Sequence, residues 1–592
     1  MADTPTADTP YIEGKNIVVE MDATKAELPR ISRKFKITFV AIVFILLNGL
    51  ALYLLHFLDR GAKSHSSSVL LSSASFGGSG ANQKPVSFAA NGTLRVGAGT
   101  TAYLDAATLP SDTMQYITTV RMGTSQSTYA TNILTYYLPS KLQSVVTTVT
   151  AKADKTLSMA EAPSDNVLSG KTIRGVATLS DTQAVFLEVS STGSVSVVAG
   201  ALTQSPPSVK YLPTKRATIA SSSFSNNIGA VSATTFVTVS FQPYNASGAF
   251  FEELTGGVVA SDGSITTATA VTFGDGNNFN VTPSYSTTFA NPVAVPALAD
   301  HFALAWWSDI ATDNKGLCIY LGTVAASTGA VTKKSETCSK AYLPSAFLEV
   351  VSIAPDMLAM AFYDSLNGNT LTIATVQIST ITQKVVFRGV YTLGAAASGE
   401  FDFGNFFSFS PKPSLKALSS TRLALAFLNP SNAGKPYTQV FQISDTYTLK
   451  PLTPLMRMSA ADFTLAGATS VTTPTAVTLD LVPTSAESFV VGYTGTLGPV
   501  NPKRLSLVET YGNVAGIGSG SNGVTVTGSV SVAGDLTTGQ AYYATTRGDI
   551  VTVTQTDADY FYTAGDATIV TKSSKIGVAV SSSDLYVAPP TN

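Results

Sequence analysis

Histidine is the side chain that titrates near neutral pH, and this 592-residue chain has three: His56, His65 and His301. His56 falls in an apolar run and His65 in a Ser-rich stretch, so a Ser-His-Asp triad would have to use His301. No G-x-S-x-G elbow accompanies it, and a structural histidine is the better reading. Asp557-Ala558-Asp559 has the D-x-D spacing with which glycosyltransferases hold a metal and a diphosphate, but it stands in a β-patterned tail without an α/β nucleotide fold. The loops Asp275–Asn278 and Asp309–Asn314 offer oxygens without the regular alternation of a calcium loop. Asp181, Asp300 and Asp356 stand at similar points before repeated strands, so they either converge on a common axis, as a glycosidase needs, or form turns. Turn formation is favoured. Trp306-Trp307 is placed in a core rather than against a sugar. No residue is assigned to catalysis, a metal or a cofactor.

Two cysteines, Cys318 and Cys338, lie ten residues to either side of Thr328 in the turn Ser327-Thr328-Gly329. In an antiparallel hairpin centred there they stand opposite each other, which predicts a disulfide and an oxidising compartment. The sequons at Asn91, Asn245 and Asn280 predict glycosylation.

These features need a route out of the cytosol, and Ile37–Leu58 supplies one. The segment has 22 residues without Asp, Glu, Lys or Arg. As a helix it spans about 33 Å, enough for a hydrocarbon core of about 30 Å. Arg30, Arg33, Lys34 and Lys36 crowd its N-terminal flank, against Arg60 and Lys63 on the other. The positive flank stays cytoplasmic, which predicts a type II signal-anchor protein. All three sequons then fall on the non-cytosolic side. The membrane is one predicted partner. Nucleic acid is not another, because a formal net charge of −2 provides no basic field.

The elements that position everything else are strands. Charged residues make up 12% of the chain and apolar ones 44%, with many β-branched residues, so the bulk is sheet rather than helix or disorder. One pattern recurs: a small or polar turn, then a strand alternating large and small apolar residues up to an aromatic. The copies end at Tyr137, Phe186, Phe241, Trp307, Phe362, Phe427 and Tyr493, 49 to 66 residues apart. After the strand come an Asn/Gly/Pro loop and then a turn such as Ser191-Thr192-Gly193, Ser261-Asp262-Gly263 or Ser327-Thr328-Gly329.

Strand, strand, loop, strand, turn, strand describes a four-stranded blade, and seven copies resemble a seven-bladed β-propeller without WD, kelch or Asp-box signatures. An array of β-sandwiches is the alternative. Leu94–Leu104 is a candidate closing strand for the last blade. In the tail, Gly539-Gln540-Ala541-Tyr542-Tyr543, then Ile576–Val580 and Asp584–Val587, resemble a small β module at the ends of phage fibre and decoration proteins. That resemblance implies an assembly role and no catalytic residue.

The expected organisation is a cytoplasmic tail (1–36), a signal-anchor helix (37–58), a Ser/Gly-rich stalk (59–92), propeller repeats (93–515) and a C-terminal β module (516–592), joined through a Gly/Ser linker at Gly516–Gly523. The expected function is display of the propeller for adhesion, extracellular assembly, or recognition of a glycan or protein. The alternative is a secretory-pathway carbohydrate-active enzyme with axial carboxylates. A receptor signalling through residues 1–36 is a third option.

Overall fold

A computed structural model of the chain describes residues 67–70, 83–89, 93–123 (except 105, 108, 111 and 113), 131–220, 225–242, 251–273, 290–308, 316–393 (except 369), 413–429, 435–458, 478–494, 503–519 and 523–588 (except 533, 534, 557, 558 and 564–567). The chain divides into two units, 1–65 and 66–592. The tail, the predicted span 37–58 and the three sequon asparagines lie outside the described residues. Among the described residues no helix is long and apolar enough to cross a membrane.

Seven antiparallel sheets follow one another, and in each the first three strands neighbour one another in sequence order. They begin with the strands Gln115–Arg121, Lys171–Thr178, Ser225–Ala230, Val293–Ala294, Pro344–Ala354, Ser414–Ser419 and Thr478–Ser485, which open blades one to seven. Each first strand meets that of the next blade, and the seventh meets the first. The ring is closed, and the fold is a seven-bladed β-propeller. All seven aromatic anchors read from the sequence fall in second strands, from Thr131–Leu138 in blade one to Ser488–Thr494 in blade seven.

The alternation of large and small residues explains how blades stack. Met357–Asp364 in blade five is buried at every position, so it reads as continuously apolar while its two faces differ. Leu358, Met360 and Phe362 pack towards blade four against Ala303 and Ala305. Ala359 and Ala361, on the other face, receive Leu423, Leu425 and Phe427 of blade six. Blade six then turns Ala424 and Ala426 towards Phe489, Val491 and Tyr493 of blade seven. Large side chains of one blade thus fill the space left by small ones of its neighbour, which gives interior density without overpacking. Burying each such Leu or Phe contributes about 1.5–3 kcal/mol.

The ring closes with a strand from the far end of the chain. Thr100–Tyr103 is the outermost strand of blade seven, antiparallel to Lys503–Thr510. Its other edge pairs with Thr568–Thr571 from the C-terminal region. The C-terminal region is therefore continuous with the propeller through one seven-stranded sheet. Residues 59–92, read as a stalk, contain the strands Ser67–Leu70 and Pro85–Phe88, which pair with Gly523–Ser531 and Gly516–Ser519. The Gly/Ser stretch at 516–523 is likewise partly strand rather than linker. Composition pointed to a linker, but Pro85-Val86-Ser87-Phe88 has a strand's alternation and a sheet edge to join.

Buried polar contacts lock this seam. Glu509, 5% exposed, lies 2.9 Å from Lys155 Nζ and accepts the Thr546 hydroxyl at 2.7 Å. The Tyr103 and Thr546 hydroxyls are 2.9 Å apart, and the Arg547 backbone N–H donates to Tyr103 at 3.0 Å. Burial opposes the Lys155 charge, but Glu509 and Tyr511 outweigh it and hold its pKa above the ordinary lysine value. Gly97 passes against the module at φ +93°, where a Cβ would stand 2.1 Å from the Thr546 carbonyl oxygen.

Cys318 and Cys338 are bonded, as partners on neighbouring strands of blade four. The three turns read as Gly-dependent place Gly193, Gly263 and Gly329 at φ +83°, +83° and +74°.

Candidate functional site

The first strands cannot pack as tightly as the second ones, because seven of them surround one axis. They leave a channel of about 480 Å³, and every blade lines it: Thr119 from blade one, Arg174 from two, Asn227 from three, Asn291 ahead of four, Glu349 from five, Lys416 from six and Asp480 from seven. Six of the seven first strands present residues to the channel, and Asn291 does so ahead of Val293–Ala294. Polar residues are tolerated there because water reaches them.

Lys416 organises one wall. Its Nζ lies 2.7 Å from Glu349 Oε1 and 4.0 Å from Asp480 Oδ1. Asp480 is held in turn by the Thr119 backbone N–H at 2.7 Å, the Ser414 hydroxyl at 2.8 Å and the Leu481 N–H at 2.8 Å. One network thus ties blades five, six, seven and one. Glu349 is only 3% exposed, and this lysine supplies a cation beside its carboxylate. Burial works against the Lys416 charge, but the two carboxylates outweigh it and hold its pKa above 10.5.

The opposite wall carries Arg174. This residue is exposed, and its guanidinium lies 3.9 Å from the centre of the Tyr116 ring. Tyr116 has φ +51°, a left-handed conformation that costs a non-glycine residue about 1 kcal/mol or more. Its neighbour Thr119 is 1% exposed, and its hydroxyl has no partner among the described residues.

The carboxylates singled out in the sequence are elsewhere. Asp181, Asp300 and Asp356 sit in the turns between first and second strands of blades two, four and five, and none lines the channel. The Asp181 carbonyl accepts from Gln204 Nε2 at 2.7 Å, Asp300 has φ +59°, and the Asp356 carboxylate accepts from Gln377 Nε2 at 3.0 Å. They are turn residues, and the axial carboxylates are Glu349 and Asp480.

His301 Nδ1 donates to the Ala299 carbonyl oxygen at 2.7 Å, a structural role. Trp306 is 2% exposed between blades three and four, with its indole N–H on Glu336 at 3.1 Å. Asp557 and the loops 275–278 and 309–314 lie outside the described residues, among which no group of three His, Cys, Asp or Glu is gathered for a metal. Another buried carboxylate, Glu188, accepts from Tyr211 and Arg216 and lies 3.0 Å from Lys171 Nζ. It is not part of the channel lining.

The axial ring does leave a trace in the sequence. Five first strands contain an apolar residue followed by a charged one: Val120-Arg121, Ile173-Arg174, Leu348-Glu349, Leu415-Lys416 and Leu479-Asp480. Each pair shortly precedes an aromatic anchor, in a chain otherwise poor in charge.

No protein-family model matches the chain, and neither does any curated protein. Solved structures similar to it include the periplasmic gluconolactonase PpgL of Pseudomonas aeruginosa, at 11% identity and a TM-score of 0.35, covering 72% of this chain and 99% of that one. The WD40 domain of SCAP from fission yeast gives 8% identity and a TM-score of 0.33, covering 69% and 97%. A Hadza microbial sialidase gives 9% identity and a TM-score of 0.32, covering 66% and 74%. With TM-scores below 0.5, these likenesses add nothing to the sheet topology, which carries the fold.

Proposed function

We propose that this chain is a single-pass membrane glycoprotein that holds its propeller outside the cytosol for recognition, whether in adhesion, extracellular assembly, or capture of a glycan or protein. The observation that carries recognition is the axial channel, where all seven blades contribute to one water-reached, mixed-charge surface. The membrane part rests on the apolar run Ile37–Leu58 with its basic N-terminal flank, and on the sequons that follow it. Two experiments on the full chain in cells test it. Protease added to intact cells should spare the first 36 residues and attack the remainder if the C-terminal bulk is on the cell surface. Removal of N-glycans should lower the apparent mass. Digestion of the tail with protection of the rest would reverse the topology.

A carbohydrate-active enzyme is the second reading, favoured by the presence of Glu349 and Asp480 in one channel. It requires a hydrolytic or transferase activity that Glu349→Gln and Asp480→Asn abolish. Activity that survives both substitutions excludes it.

A further inference from the structure

We propose that the axial channel binds an acidic, hydroxylated ligand of monosaccharide size, with its carboxylate on Arg174 and its hydroxyls towards Thr119 and the Asp480 wall. This rests on the recognition reading above and names the ligand class for that surface.

The channel volume of about 480 Å³ falls within the range of small-molecule sites, roughly 300–1,000 Å³. Its lining includes three cations, Arg121, Arg174 and Lys416, against two carboxylates, Glu349 and Asp480. Lys416 is committed to both carboxylates, so it is not available to a ligand anion. Arg174 differs: among the described residues no carboxylate lies within ion-pair distance, and its guanidinium is exposed above the Tyr116 ring. A planar fork held flat on an aromatic ring presents its edge for two parallel hydrogen bonds to a carboxylate. The left-handed backbone at Tyr116 places that ring, and strain of this kind collects where geometry must be fixed.

The remaining lining sets the other end of the ligand. Among the lining hydroxyls Ser414 is committed to Asp480 and Ser352 to the Ala354 carbonyl oxygen, whereas the Thr119 hydroxyl is buried without a partner among the described residues. A buried unpaired hydroxyl costs about 1–3 kcal/mol, which a ligand hydroxyl would relieve. Glu349 and Asp480 across the channel repel a compact dianion such as phosphate but accept hydrogen bonds from hydroxyls. A neutral sugar leaves Arg174 unmatched. Only a ligand combining one carboxylate with several hydroxyls satisfies both walls.

The test is calorimetric titration of the full chain in detergent micelles with glucuronate, glucose and inorganic phosphate. Glucuronate should bind saturably, with glucose and phosphate each at least about tenfold weaker. Arg174→Gln, at an exposed position, should keep the melting temperature and weaken glucuronate by about tenfold or more. Thr119→Val, which preserves side-chain shape, should weaken it by about threefold or more. No glucuronate binding, binding unaffected by Arg174→Gln, or tighter binding of phosphate overturns the proposal. Screening the same chain on immobilised glycans and surface proteins separates the two levels. Capture there that glucuronate does not compete with refutes this site and leaves recognition standing, whereas a blank screen with a blank titration refutes both.

Discussion

Cys318 faces Cys338 because the strand Val331–Ser339 carries one residue more than its partner. Counting from the turn, Gly322 pairs with Lys333, and four further steps along each strand would set Cys318 against Thr337. The register shifts between Leu321 and Gly322, leaving Lys334 unpaired, and the bulge brings the two cysteines into line.

Deleting Lys334 should therefore remove the bulge and keep the disulfide, because Ser335 would then follow Lys333 directly and still pair with Leu321. Cys338 then stays opposite Cys318 in an uninterrupted ladder. Thiol titration under denaturing, non-reducing conditions should find no free thiol, as in the parent, and two free thiols would contradict this register. Cys318→Ser with Cys338→Ser should cost about 3 kcal/mol, the loop-closure contribution for a bridge between residues 20 apart. Thermal unfolding with and without reductant measures it.

Lys416→Met should destabilise the ring by about 3 kcal/mol, because it removes the cation 2.7 Å from the buried Glu349 carboxylate. Adding Glu349→Gln should restore most of that loss, which a double-mutant cycle in urea would measure. The pH dependence has a definite sign. The folded pKa of Lys416 lies above 10.5, its value in the unfolded chain. Its contribution is therefore complete below pH 10.5 and falls as the pH rises through the folded value. The stability gap between parent and Lys416→Met should stay constant up to that pH and narrow above it.

Leu425→Ala should cost about 2–5 kcal/mol, since the side chain is fully buried against Ala359 and Ala361. Ala361→Leu should also destabilise, by about 1–3 kcal/mol, through overpacking of the same contact. Combining them should recover part of the loss if volume passes from one blade to the other. Additive losses in thermal melts would contradict the large-on-small account.

Gly97→Ala should loosen the C-terminal region from the propeller at a cost of about 2–3 kcal/mol, since its Cβ would overlap the Thr546 carbonyl oxygen. Glu509→Gln should act on the same seam by leaving Lys155 and Thr546 imperfectly matched. Limited proteolysis should release a C-terminal fragment from both variants faster than from the parent.

The ring was legible in the sequence because second strands are buried on both faces and must carry an unbroken apolar pattern, so Phe186, Phe362 and Phe427 stood out. The bridge was legible for a partly fortuitous reason: symmetry about Thr328 holds only with the bulge at Lys334, which a count along the chain cannot see. The axial residues were missed because a lone charge such as Lys416 in a short strand looks like any solvent-facing position. Its importance appears only when seven such positions are brought around one axis. Asp181, Asp300 and Asp356 recur more visibly, but turn chemistry explains why Asp stands there. Pro85–Phe88 looks like stalk because its neighbours are Ser and Gly, yet it pairs locally with Leu94–Val96, and its other edge joins Gly516–Ser519 more than four hundred residues away.

Thr100–Tyr103 is hydrogen-bonded along both edges, to Lys503–Thr510 on one side and Thr568–Thr571 on the other. A tension applied to the chain ahead of it acts along the strand axis, so the rungs on both edges share the load at once instead of unzipping singly. A tether entering the ring there would resist extraction by shear, and the strand that completes the circle would also be its mechanical clamp.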